Sequence, residues 1–280
     1  MLTLFSIPKG FSGSTALAQE NAIESWSRLS QRCEIILFGD DPGVAEAAAR
    51  FGARHESGLG RTPQGTATLS TVFERADAIA SNPILCFINT DIILLEDFIT
   101  ATKLVASRHE AFLMIASRFN CCIDGRMRFG ANWEQQLRYR VRAENKMYPS
   151  GGSDIFVYRP GLFRAVPPFA VGRGFWDNWL IYEAHRQKVP LIDATQAATL
   201  VHQDHSYEHV AGIPAGTYDD QLVYEMEEAQ RNLRLAGGKR HIYTAFDATE
   251  VLTERGQLLS TLRPSLIFRR IKATVRRTFS

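Results

Sequence analysis

The run Ile84–Ile88 (ILCFI) constrains this chain most, because five consecutive apolar residues suit a strand covered on both faces, as in parallel sheets. Two earlier segments carry the same signature. The first, TLFSIP, ends at Pro8 and Gly10, and a helical stretch follows in which Leu17, Ile23 and Trp26 can share a face. The second, Glu34–Phe38 (EIILF), stops at Gly39-Asp40-Asp41-Pro42-Gly43 and leads into an Ala-rich helix over Val44–Phe51. Helical spacing over 69–80 then precedes Ile84–Ile88. Strand and helix alternate through three units, which predicts a parallel sheet with helices packed on it.

Further along, 97–107 reads as helix and 111–116 as strand. A polar, Arg-rich segment over 118–146 follows, with Trp133, Leu137 and Val141 at helical spacing. IFVY is a short strand, WDNWLIYEAHR a helix, and 189–192 another strand. No repeat of solenoid period is present. At 280 residues, 45% hydrophobic and 22% charged, the chain fits one large α/β domain or a domain with a small appendage, and nothing suggests a disordered, collagenous or disulfide-scaffold class. A net charge of +2 does not point to nucleic acid, because the basic excess is local: Arg269, Arg270, Lys272, Arg276 and Arg277 cluster in 264–280. That stretch suits an amphipathic helix on an anionic membrane surface, and equally a solvated helix or one packed on a partner. The opening MLTLFSIPKG lacks the pattern of a signal peptide, and no run approaches the roughly 20 apolar residues of a membrane span. Cys33, Cys86, Cys121 and Cys122 have no metal-binding spacing and read as reduced thiols.

Polar Asn89 and Asp91 interrupt the apolar sequence FINTDIILLEDF, and polar groups placed there need partners. In an open α/β sheet ligands bind beyond the carboxyl ends of the strands, where a carboxylate can hold a divalent cation and a diphosphate. The competing reading is a turn bonding its own backbone. Arg61 is either a phosphate contact or a solvated side chain. Downstream, Gly172-Arg173-Gly174-Phe175-Trp176-Asp177-Asn178-Trp179 combines glycines, large aromatics and one acid. Trp176 and Trp179 offer faces on which a sugar ring can stack, with Asn178 beside them; alternatively Asp177 caps its helix and both tryptophans are core. In Gly151-Gly152-Ser153-Asp154, small residues permit close approach of a ligand, which makes Gly152 and Ser153 candidate acceptor contacts and Asp154 a second candidate base. Three histidines, His202, His205 and His209, follow the apolar Leu200-Val201 without the spacing of a zinc hydrolase.

Asn89-Thr90-Asp91 at a strand end, followed by a Gly- and Trp-rich segment leading into Asp177, resembles the GT-A glycosyltransferases, with NTD in place of their DxD motif. The resemblance covers roughly residues 1–210 in the order of elements. It implies a mostly parallel, Rossmann-related α/β sheet flanked by helices, as a catalytic domain over 1–215. Within it, 1–100 would bind the donor and 101–215 the acceptor, with a helical extension over 216–280. It also implies a nucleoside-diphosphate sugar, UDP- or GDP-linked, bound by Ile7, Pro8, Asp40, Arg61, Asn89, Thr90 and Asp91. Asp40 reads equally well as a turn former beside Pro42-Gly43. Mn²⁺ or Mg²⁺ would be held by Asp91 with His202 or His205, and the missing first carboxylate weakens that site. Asp177 would be the base of an inverting reaction on a glycan or lipid-linked glycan, in the cytoplasm or at the inner membrane face. A sugar-nucleotidyltransferase, or a glycan-binding protein that has lost catalysis, is the alternative.

Overall fold

The computed structural model describes residues 1–147, 153–204 and 224–261. The first half runs β1 (Leu2–Ser6), α1 (Gly13–Ser27), β2 (Glu34–Phe38), α2 (Val44–Phe51), β3 (Arg54–Glu56), α3 (Val72–Ile79), β4 (Ile84–Ile88), β5 (Ile92–Leu94) and α4 (Glu96–Arg108). Then come β6 (Leu113–Ile115), β7 (Phe119–Cys121), α5 (Trp133–Glu144), β8 (Ile155–Tyr158), α6 (Trp176–Arg186), β9 (Leu191–Asp193) and β10 (Leu200–Gln203). The described C-terminal part adds α7 (Glu227–Leu235), β11 (Glu250–Leu252) and β12 (Leu258–Ser260).

The main sheet has nine strands in the order β12-β11-β9-β6-β8-β4-β1-β2-β3. Neighbours are parallel except around β8, which runs antiparallel to β4 and β6, and at the β11-β12 hairpin. This is the mostly parallel sheet flanked by helices that the alternation predicts. Side chains alternate across it with the strand period of two. From β4, Ile84, Cys86 and Ile88 enter one core with Trp26 of α1 and Phe98 of α4. Leu85 and Phe87 enter the other, with Phe73 of α3 and Leu180 of α6. Burying such side chains contributes roughly 1.5–3 kcal/mol each, so the sheet is held between helices by a core on each face.

Two parts of this layout differ from the pattern reading. β3 is a three-residue edge strand, Arg-His-Glu, whose charged side chains suit an edge and hide it from any search for apolar runs. Residues 224–261, part of the 216–280 stretch expected as a helical extension, include α7, two short 3₁₀ turns and two strands, and β11 pairs with β9 inside the main sheet. No described helix is long and apolar enough to cross a membrane. All four cysteines are free thiols.

The arrangement also fixes where a ligand can bind. The chain leaves β1 to build β2 and β3 on one side, then returns to place β4 on the other. The strand order therefore reverses at β1, and a crevice opens beyond the carboxyl ends of β1 and β4. A second, three-stranded sheet, β5-β10-β7, stands beside it, so that Asn89-Thr90-Asp91 forms the corner between the two sheets.

Candidate active site

At the switch point the chain leaves β1 through Ile7-Pro8-Lys9 and β4 through Asn89-Thr90-Asp91. Both segments line a cavity of about 400 Å³, together with Asp41, Arg61 and Arg173. Its backbone is held by buried side chains. The Ser6 hydroxyl donates to the Ile88 carbonyl at 2.6 Å, which leaves the Thr90 hydroxyl, also 2.6 Å away, to donate to Ser6. Gln203 Nε2 donates to the backbone oxygen of Asp91 (3.2 Å) and to that of Ala18 (2.7 Å), and Asn21 Nδ2 donates to Gln203 Oε1 (3.0 Å). Gln19 fixes Lys9 by accepting from its N–H at 2.7 Å and donating to its carbonyl at 3.0 Å. Trp26 Nε1 donates to the carbonyl of Ile92 at 2.8 Å. Amides buried with both ends satisfied hold a single backbone conformation, so the corner is set before any ligand arrives.

Charge is concentrated on this frame. Asp91 Oδ2 lies 3.6 Å from His202 Nε2, which β10 brings in buried beside the corner. Burial pushes the His202 imidazole below its ordinary value and Arg118 adds to this, while Asp91 and Asp154 oppose it. A neutral imidazole can ligate a cation. Burial likewise pushes the Lys9 ammonium down, with Asp91 opposing the shift and Arg173 adding to it. Among the described residues no group of three or more His, Cys, Asp or Glu side chains forms a metal cage. Asp91 and His202 fit instead a cation that takes its remaining ligands from phosphate and water, as Mg²⁺ commonly does.

On the far side of Asn89 stands the second group of acids. Asp154, buried at the entry to β8, accepts from Arg118 Nη1 at 2.6 Å and from Asn89 Nδ2 at 2.7 Å, both on Oδ1. Asn89 N–H also donates to the Asp154 carbonyl at 3.0 Å. The carboxamide at 89 thus has a reason: a carboxylate there would face Asp154 at hydrogen-bond distance, like charge on like. A guanidinium and an amide thus converge on one oxygen of Asp154, the second candidate base. Asp177 differs. It lies half-buried in the first turn of α6, and burial pushes its carboxyl up to about 6. The Asp154 charge adds to that rise, while the N–H groups of Asn178, Asp177 and Ser153 oppose it. A carboxylate tuned upward in this way suits a general base. The helix α6 follows Phe175, whose φ of 77° is left-handed, an uncommon geometry for a bulky residue.

The structure sorts the remaining sequence candidates. Ile7, Pro8, Arg61, Asn89, Thr90 and Asp91 line the cavity. Asp40 does not; its Oδ2 accepts from Gly58 N–H at 2.8 Å, and Asp41 lines the cavity instead, paired with Arg61. Trp176 is corrected as an acceptor platform: it is 5% exposed and packs against Phe87 and Phe156, with ring centres 5.4 and 5.7 Å away. Asn178 is corrected too, since it is buried and donates to the Tyr243 carbonyl at 2.8 Å. Trp179 packs on Phe169. Ser153 is buried, its hydroxyl donating to the Ile155 carbonyl at 2.9 Å. Gly152, His205, His209 and the basic stretch 264–280 lie outside the described residues. Missed from the sequence were Lys9, Asp41, Arg118 and Arg173. Lys9 and Arg118 each stand just beyond a strand's carboxyl end, the one positional signal that could have found them.

The fold has solved counterparts. The chain is similar to S. aureus TarS (residues 1–349) in complex with UDP-GlcNAc, with a TM-score of 0.51 and 11% identity over 86% of this chain and 72% of that one. It is similar as well to glucosyl-3-phosphoglycerate synthase from Mycobacterium tuberculosis. The complex of that protein with Mg²⁺ and UDP gives a TM-score of 0.50 and 17% identity, over 85% of this chain and 80% of that one. The complex with Mn²⁺, UDP and phosphoglyceric acid gives 0.52 and 17%, over 85% and 79%. No protein-family profile matches the chain, and no curated protein matches it in sequence. The α/β fold is that of GT-A glycosyltransferase structures.

Proposed function

We propose that this chain is a glycosyltransferase that moves a sugar from a nucleoside-diphosphate sugar to a hydroxyl of a glycan or lipid-linked glycan, with inversion. One observation carries the reading. Asp91 sits at the carboxyl end of β4, at the switch point, in a cavity that also presents Lys9 and Arg173, with His202 3.6 Å away. A carboxylate and an imidazole beside two cations suit a diphosphate that shares a divalent metal with the protein. The structural neighbours bound to UDP or UDP-GlcNAc support that choice of ligand, and those holding Mg²⁺ or Mn²⁺ support the metal.

The chemistry follows from charge placement. The acceptor hydroxyl gives its proton to the Asp177 carboxylate as its oxygen bonds to the anomeric carbon, and the bond from that carbon to the diphosphate breaks. Lys9 and Arg173 offset the charge of the departing diphosphate. Asp91 and His202 would hold Mn²⁺ or Mg²⁺, which when bound would supply Lewis-acid stabilisation of the leaving diphosphate. Burial, with the charge of Asp154 between Arg118 and Asn89 adding to it, raises Asp177 to about 6, which suits a base acting near neutral pH.

The test is donor hydrolysis across a panel of UDP- and GDP-sugars with Mn²⁺. Slow release of nucleoside diphosphate is expected with one donor, lost on chelation and in Asp91→Ala. Turnover unchanged in Asp91→Ala contradicts the site. Release of pyrophosphate from a nucleoside triphosphate and sugar phosphate supports the nucleotidyltransferase, and binding of glycan without turnover supports a catalytically silent protein.

A further inference from the structure

Two walls of the cavity come from segments distant in sequence, the turn 61–67 and the loop 170–173. Val171 N–H donates to the Ala67 carbonyl at 3.0 Å, and Thr68 bridges Ala170, so the two walls are zipped together along one edge. Behind them packs α7, which belongs to the part of the chain beyond the acceptor half. Its Glu228, 5% exposed, accepts from Thr62 Oγ1 at 2.6 Å, Thr66 Oγ1 at 2.9 Å and Arg173 Nε at 2.9 Å. One buried carboxylate therefore holds both walls and the cation that one of them carries. One turn further on, buried Asn232 accepts from Ala170 N–H at 2.8 Å and donates to the carbonyls of Ala170 (3.0 Å) and Gly174 (3.1 Å). The approach is close enough to dictate sequence, because a Cβ at Gly174 would lie 2.3 Å from Tyr224 Cδ1.

Pinning two loops needs no charge; an amide does it at Asn232. A carboxylate at 228 costs desolvation, and that cost is offset where a guanidinium completes the pair. Arg173 carries five N–H donors in a rigid fork, more than its contacts to Glu228 and to the Gly172 carbonyl take up, and it lines the cavity across from Lys9. We propose that Glu228 is a positioning residue: from α7 it fixes the Arg173 guanidinium at the cavity wall, where Arg173 binds the diphosphate of the donor. This rests on the reading of the cavity as a nucleotide-sugar site. It makes the C-terminal part of the chain a component of the donor site, reached through a contact that never touches the donor.

Calorimetric titration of the full-length protein with UDP, in EDTA and again in Mn²⁺, tests it with Arg173→Ala, Glu228→Gln, the double variant and Thr62→Val. Arg173→Ala and Glu228→Gln are each expected to weaken UDP about tenfold in EDTA, and the double variant no further than Arg173→Ala alone, because the second change then has nothing left to position. Thr62→Val removes one of the three donors to Glu228 and leaves the ion pair in place, and is expected to lower the melting temperature while weakening UDP less than Glu228→Gln does. Arg173→Ala binding UDP as wild type does overturns the proposal and leaves the donor-site reading standing. So does a further loss on adding Glu228→Gln to Arg173→Ala, which marks Glu228 as merely structural. Wild type that binds no nucleoside diphosphate overturns both.

Discussion

The corner Asn89-Thr90-Asp91 and the segment 172–179 look alike as sequence, each a short polar break beside apolar residues, yet they sit differently in the fold. All three residues of the corner line the cavity, whereas Trp176 and Trp179 pack on aromatic rings, Asn178 is taken up by the Tyr243 carbonyl, and Asp177 accepts from backbone N–H groups. Backbone geometry accounts for the difference. The corner leaves the sheet at a strand end, where Asn89, Thr90 and Asp91 meet the polar groups of Asp154, Ser6 and His202 rather than a packed apolar core. The other segment is the first turn of α6, where 3.6 residues per turn aligns Trp176 with Leu180 and carries both into the core. A polar break at a strand end therefore marks a site, while an aromatic-rich helix start marks mostly packing.

That contrast can be broken at four points. The largest effect is expected at the acid that helical geometry leaves outside. Asp177→Asn should lower transfer about 10²- to 10⁴-fold while UDP binding by calorimetry stays within twofold, roughly the range of a lost general base. Because the base works ionised, kcat/KM in the parent should fall as pH drops through about 6 and level off above it, a profile that Asp177→Asn should flatten. Trp176→Ala should come next, costing about 3–5 kcal/mol of stability in chemical denaturation with little change in acceptor KM at low temperature. A large rise in KM without loss of stability would return Trp176 to the site.

Asn89→Asp sets a carboxylate against Asp154 and should cost about 2 kcal/mol, seen as a lower melting temperature and reduced transfer. Pairing it with Asp154→Asn restores one acid and one amide across that contact, and stability should recover. An unrecovered double variant would mean that the order of the two groups matters for more than charge balance. The smallest effect is at Lys9→Met, expected to weaken UDP about tenfold, or about 1.4 kcal/mol, since the backbone of residue 9 stays clamped by Gln19.

The same contrast explains what was legible in the sequence. Strand-helix alternation gave the parallel sheet because its strands are buried on both faces and so read as unbroken apolar runs. The charged edge strand at 54–56 and the strands at 250–252 and 258–260 stayed hidden, being three residues each and carrying little apolar pattern of their own. Within the site, Asn89 and Asp91 stood out because polar residues are costly in a buried strand. Lys9, Arg118, Arg173 and Glu228 did not, because charged residues in loops and on helix surfaces are ordinary. Only the fold shows that Glu228 and Arg118 are buried against their partners, with side chains 6% and 11% exposed. Gln19 and Asn21 were overlooked for a related reason, since an amide on the inner face of α1 reads as a flaw in an apolar stripe until its backbone partners are known.

The central claim is that the crevice beyond β1 and β4 is the donor site, and a crystal structure with UDP and Mn²⁺ tests it most directly. The diphosphate is expected between Lys9, Asp91 and Arg173, with the cation on Asp91 and His202. Nucleotide bound elsewhere, for instance in the open depression lined by Glu24, Arg28, Arg50 and Arg126, with this crevice left empty, would contradict it.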